Sequence, residues 1–178
     1  MANKDSVQSV FLDTTFLDVL LNNERPEHSV ALKYFTHWVN GGVLVATSTI
    51  CLAEYMAHAS VMHEVFKRIL IVPFNAEAAI LAGELFQKYK APTVKAVREL
   101  EGEHRGLRDA LKDDFKIVAA AAVFRAAAVA HNDKSTMERF LQCAQKEFAQ
   151  CRGLKSVLLS DGFNSGTANF SVPELSFD

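Results

Sequence analysis

Val10 to Leu21, VFLDTTFLDVLL, is the stretch whose reading decides the fold. Its first three residues are apolar and include a β-branched and an aromatic side chain. The run stops at Asp13, as expected of a strand buried on both faces. Thr14 or Thr15 can cap the helix that follows, Phe16 to Leu21, and Asn22-Asn23 end it. A buried strand that delivers an acid to a strand–helix turn belongs to parallel α/β sheets, whose ligands sit beyond the carboxyl ends of the strands.

The alternation continues outward from this stretch. Pro26 opens a second helix to about Val39, with Ala31, Leu32, Phe35 and Val39 on its apolar face, and Gly41-Gly42 stop it. Val43 to Ala46 is a second strand, and Thr47 to Thr49 offer caps for a helix carrying Glu54. Ile69 to Phe74 predicts a third strand and 76–89 a strong helix. Residues 88–116 predict charged helix broken near Gly102 or Gly106. An Ala-rich helix from about Asp109 to Ala126, a strand over 127–131, a helix over 135–150 and a last strand over 154–159 complete the pattern. The expected fold is therefore three-layer α/β/α around a central parallel sheet of four to five strands. With 178 residues, 49% of them hydrophobic, one core over 1–160 is expected rather than two. The tail, 161–178, is rich in Ser, Asn and Gly and is expected to be loose.

A net charge of −2 excludes a uniformly cationic nucleic-acid binder, so affinity for a phosphate backbone must come from a local patch or an ion. The segment 88–116 holds eight Lys or Arg against six acids, a net of +2. A solvated helix face accounts for it, although Arg105, Arg108 and Lys112 precede Asp114 closely enough to grip phosphates beside a cut. Three cysteines, Cys51, Cys143 and Cys151, with no CxxC pair, match a reducing cytoplasm and neither a zinc site nor a disulfide framework. The apolar run 117–130 is interrupted by Arg125 and too short to span a bilayer, so no membrane role is expected.

Four acids carry the chemistry. Asp13 and Asp133 follow strands, after VFL and AVAHN. Glu54 and Asp114 stand inside apolar helical stretches, STICLAEYMA and LKDDFKIVAAAA, where burying an unpaired carboxylate costs several kcal/mol. Steps of three, four and seven from Asp114 reach Ile117, Val118 and Ala121, which points it the way the core points. Converging carboxylates repel, by about 4 kcal/mol at about 4 Å in an effective dielectric near 20. A hard divalent cation relieves that repulsion, and oxygen ligands favour Mg²⁺ or Mn²⁺ over zinc. Such an ion suits hydrolysis of a phosphate ester. Plainer readings stand beside these: Asp13 and Asp133 as helix caps, Glu54 on an amphipathic surface.

These stretches resemble the PIN-domain family. VFLDTTFLDVLL resembles its opening strand and helix, TSTICLAEYM its second motif with Glu54, DDFKIVAAAA its third, and AVAHNDKSTMERF its fourth with Asp133. The acids are 41, 60 and 19 residues apart, in the family's order, and the likeness covers about Val10 to Leu159. The resemblance implies a PIN-like fold and a metal-dependent endoribonuclease, such as the toxin half of a VapBC-like toxin–antitoxin pair. It further implies Asp13, Glu54 and Asp114 as core ligands of Mg²⁺ or Mn²⁺, with Asp133 completing the site directly or through water. Thr15 matches a supporting hydroxyl. In-line attack of water on phosphorus would leave 5′-phosphate and 3′-hydroxyl ends. A homodimer and a small antitoxin protein are the implied partners besides RNA.

The sequence also departs from that pattern. His131 stands where the family commonly shows Thr, which leaves Asp161 as an alternative to Asp133. A packed, hydrogen-bonding role for His131 is preferred to that of a general base. Asp113 competes with Asp114, the step to Ile117 favouring the latter and solvent the former. The charged helical stretch near 88–110 exceeds what a minimal PIN toxin needs. Rival functions are a catalytically idle PIN-like module binding protein or RNA, a DNA-directed nuclease, and an unrelated phosphohydrolase.

Overall fold

A computed structural model of the chain describes residues 8–59, 62–101 and 107–168. Five parallel strands form one sheet: β1 (Ser9–Leu12), β2 (Leu44–Ser48), β3 (Leu70–Val72), β4 (Ala128–His131) and β5 (Lys155–Leu158), in the order β3-β2-β1-β4-β5. Helices α1 (Thr14–Leu21), α2 (His28–Asn40) and α3 (Thr49–Met56) connect the first three strands. The long α4 (Ala76–Glu101) and α5 (Leu107–Val123) cross back to β4, and α6 (Met137–Glu147) leads to β5. Right-handed crossovers put α1 to α3 on one face and α4 to α6 on the other. Packing agrees: α1 lies against α2 and α3, and α4 against α5 and α6. This is the three-layer α/β/α fold expected from the sequence, with the larger number of strands. Winding reverses between β1 and β4, the junction where a crevice opens beyond the strand ends.

The central strands are apolar because both faces are covered. Val10, Phe11 and Leu12 are wholly buried, as are Ala128, Val129 and Ala130. Phe11 meets Phe124 beyond the end of α5 at 6.0 Å, and Phe16 of α1 meets Trp38 of α2 at 5.7 Å. Two helix ends use the same device. Past α2, Val43 N–H donates to Trp38 O and Gly42 N–H to Val39 O, with Gly42 at φ 71°. Past α5, Ala126 N–H donates to Ala121 O and Arg125 N–H to Ala122 O, with Arg125 itself at φ 60°. Both are Schellman stops, and the second ends α5 at Val123 rather than the expected Ala126.

Other expectations need correcting. Leu32 is 48% exposed, and α2 buries Tyr34 and Trp38 beside Ala31 and Phe35 instead. The Ser/Asn/Gly-rich stretch, expected to be loose from Asp161, is docked in its described part. Tyr34 Oη donates to Gly162 O at 3.1 Å and accepts from Asn164 N–H at 3.0 Å, and Phe163 packs on the Tyr34 ring. A short α7 (Ser165–Ala168) follows, and Trp38 Nε1 donates to Ala168 O at 3.3 Å. Aromatic partners on α2 thus hold a segment whose own composition is polar. The rest of that tail, 169–178, lies outside the described residues, as does the expected break at Gly102 or Gly106. Among the described residues, no helix is long and apolar enough to cross a membrane.

Candidate active site

Asp13 follows β1 at the β1/β4 junction. Its N–H donates to Ala130 O at 2.9 Å, and Thr47 Oγ1 of β2 donates to Leu12 O at 2.7 Å, so the strand end is tied on both sides. The carboxyl is 3% exposed and is also the N-cap of α1: Oδ2 accepts from Thr15 N–H at 3.2 Å and Thr15 Oγ1 at 2.5 Å. The cap is therefore Asp13, not Thr14 or Thr15, and capping and facing the crevice fall to one residue. Burial pushes this carboxyl above the ordinary 3.8. The Thr15 bond, nearby His131 and the backbone amides of Thr14 and Thr15 only partly offset that.

Glu54, on α3, is half-buried and accepts a hydrogen bond from Thr14 Oγ1 at Oε2. Burial raises it, and the charges of Asp113 and Asp13 add to the effect. Asp114, on α5, has a shielded carboxyl whose Oδ2 has no hydrogen-bond partner. It is pushed well above the ordinary range, first by burial, then by the charge of Asp13, with Asp133 and Glu54 contributing further. Asp133, two residues past β4, is the opposite case. Oδ1 accepts from Ser135 N–H (2.8 Å), Ser135 Oγ (3.0 Å) and Thr136 N–H (2.9 Å), and Oδ2 from Thr136 Oγ1. Burial alone would raise Asp133, but these donors together outweigh it and pull it below the ordinary range.

Asp13, Glu54 and Asp133 thus all bear by charge on Asp114, beyond the strand ends at the switch point. Among the described residues, no three His, Cys, Asp or Glu side chains are already arranged to hold a metal ion. The donor set nonetheless fits one: every donor is an oxygen, the carboxylates repel, and Asp114 Oδ2 is buried without a partner.

No family model matches the chain, and no curated protein matches it. A solved structure does: the crystal structure of VapBC2 from Rickettsia felis bound to a DNA fragment from their promoter. The likeness has a TM-score of 0.51 at 18% identity, over 74% of this chain and 92% of that one. It is a likeness of fold, and it matches the α/β architecture described above.

The sequence did not single out several residues that the fold brings to this crevice. Thr14, weighed as a cap, serves Glu54. Thr136 lies within reach of both Asp133 and Asp114, and its one proton serves one at a time. Asp113 does not simply face solvent. Its charge adds to the upward push on Glu54, while Lys116 Nζ holds its Oδ1 at 2.6 Å. A DKSTM run after a strand is the one signal that could have exposed Thr136, as an Asp cap with hydroxyls two and three residues on. Asp161 sits exposed in a 3₁₀ turn after the edge strand β5. Lys112 is half-buried on α5, whereas Arg105 and the Arg108 side chain lie outside the described residues.

Proposed function

We propose that this chain is a metal-dependent endonuclease that hydrolyses RNA phosphodiester bonds in the β1/β4 crevice, as the toxin of a toxin–antitoxin pair. The observation that carries this reading is the buried, partnerless Oδ2 of Asp114 set among three further carboxylates at the switch point. Asp13, Glu54 and Asp114 would hold Mg²⁺ or Mn²⁺, with Asp133 completing the site directly or through water. When bound, the ion supplies charge that polarises a phosphoryl oxygen and makes water a better nucleophile.

The chain's own part is to orient its acids. Thr15 fixes Asp13, Thr14 fixes Glu54, and Ser135 with Thr136 fix Asp133, so three of the four carboxylates are held before substrate arrives. The promoter-bound VapBC2 neighbour supports a small antitoxin partner for this chain too, and a homodimer is in keeping with the family resemblance. A cytoplasmic setting accords with three free cysteines, of which Cys51 and Cys151 are buried. The test is incubation of purified protein with mixed pools of structured RNA and of DNA, in Mg²⁺, Mn²⁺ or chelator. Cleavage of RNA only with a divalent ion is expected. Cleavage of DNA alone would move the reading to a DNA nuclease, and cleavage of neither would leave an idle binding module.

A further inference from the structure

Directly behind the acidic crevice a hydrogen-bonded chain joins β4, β5 and α6. His131, the last residue of β4, is 0% exposed. Its Nε2 lies 2.8 Å from Ser156 Oγ of β5 and 3.3 Å from Glu138 Oε2 in the first turn of α6. Ser156 Oγ donates to that same Glu138 oxygen. The single hydroxyl proton is then used, so the network assigns the proton between His131 and Ser156 to Nε2. Gln142 Nε2 donates to the other Glu138 oxygen at 2.8 Å. The Glu138 carboxyl is held down at about 2, chiefly by its bond to His131. Neither Ser156 nor Glu138 has a part in the chemistry proposed above.

The sheet does not need this bridge. β4 and β5 already share a continuous ladder, from Ala128 against Lys155 to His131 against Leu158. What the bridge adds is a tie from the strand end to α6, across the turn 132–136. That turn carries the site. Asn132 N–H donates to Thr15 Oγ1 at 2.9 Å, and Thr15 Oγ1 in turn donates to Asp13. Asp133 and its donors Ser135 and Thr136 make up the rest, with Thr136 also beside Asp114. We propose that His131, Ser156 and Glu138 are positioning residues, a clamp that fixes the 132–136 turn and so sets Asp133 and Thr136 against Asp13 and Asp114. The inference rests on the crevice being a divalent-cation site.

Ser156→Ala removes the hydroxyl that bonds both His131 and Glu138 and leaves only their longer direct contact of 3.3 Å, and Glu138→Gln keeps an acceptor oxygen for it. Two readings apply to each: hydrogen exchange of the Ser135 and Thr136 amides, and calorimetric binding of Mn²⁺. Ser156→Ala is expected to fold, to exchange those amides at least about tenfold faster, and to bind Mn²⁺ about tenfold more weakly or worse. Glu138→Gln should stay near wild type in both. Unchanged exchange in Ser156→Ala overturns the clamp, and so does wild-type Mn²⁺ affinity despite faster exchange, which would make the bridge merely structural. If Ser156→Ala does not fold, Glu138→Ala, at a partly exposed position, carries the same two readings. Wild-type protein that binds no Mn²⁺ would overturn the metal reading instead, and the clamp would then stand or fall on exchange alone.

Discussion

Asp133, in the turn after β4, acts by charge on Asp114, inside α5, and the surroundings of the two differ in kind. Asp133 is saturated by four hydrogen bonds from two neighbouring residues and lies below the ordinary carboxylate range. Asp114 shares one hydroxyl with it, keeps a buried oxygen unpaired, and is pushed well above that range by burial and by three like charges. A turn at a helix start can satisfy a carboxylate with its own amides, whereas a helix interior has no spare donors. The difference assigns the two acids different work. Asp133 is oriented and stabilises the fold, while Asp114 stores an electrostatic cost that a cation removes.

The largest expected effect separates them in activity and stability at once. Asp114→Asn should lower cleavage by about a thousandfold or more, while raising stability in chelator by about 1–2 kcal/mol, because an uncompensated charge is gone. Asp133→Asn should lower cleavage by about 10–100-fold and lower stability by about 1 kcal/mol, because Asn offers one acceptor oxygen where the carboxylate offers two to its four donors. Cleavage rates and chemical denaturation of both variants check this, and equal stability changes would erase the distinction.

Next in size is the response to pH. A carboxyl raised by folding, as Asp114, Asp13 and Glu54 are, contributes stability below its unfolded value that is lost as pH rises through the raised folded one. A carboxyl lowered by folding, as Asp133 is, contributes above its unfolded value and loses that as pH falls through the lowered one. Protein in chelator should therefore melt at lower temperature as pH rises above the ordinary carboxylate range. Asp114→Asn should flatten that slope most, and Asp133→Asn only a little, through the charge it removes from beside Asp114. Thermal melts over that rise decide it, and a slope unaffected by Asp114→Asn would count against the assignment.

The smallest effect is a control on the same comparison. Arg125 occupies the left-handed position that Gly42 takes at the equivalent helix stop, so Arg125→Gly should add about 1 kcal/mol. It should do so equally at every pH and with or without Mn²⁺. A gain confined to one condition would mean that the stops and the crevice are coupled.

Much of this was legible in the residues. β1 and β2 read as apolar runs because strands covered on both faces have no polar side to alternate with, and Asp13 stood out by ending one. Glu54 and Asp114 were visible as charges in apolar helices. What was hidden depends on contacts distant in sequence or on backbone conformation. Nothing in Val123-Phe-Arg-Ala126 announces that Arg125 turns left-handed. Tyr34 and Trp38 dock 162–168 from about 130 residues away, beyond the reach of local composition. Asp113 was read by helix period alone, which could not show Glu54 arriving from α3. His131 was expected to be packed and hydrogen-bonded, and it is, but its partners Ser156 and Glu138 were not visible before the sheet order was known.

The central claim is that Asp114 completes a divalent-cation site, and calorimetric titration of Mn²⁺ into wild-type protein and Asp114→Asn tests it most directly. Saturable binding to wild type, weakened about 100-fold or more in the variant, is the predicted result. Equal affinity in the two proteins, or no binding to folded wild type, would contradict it.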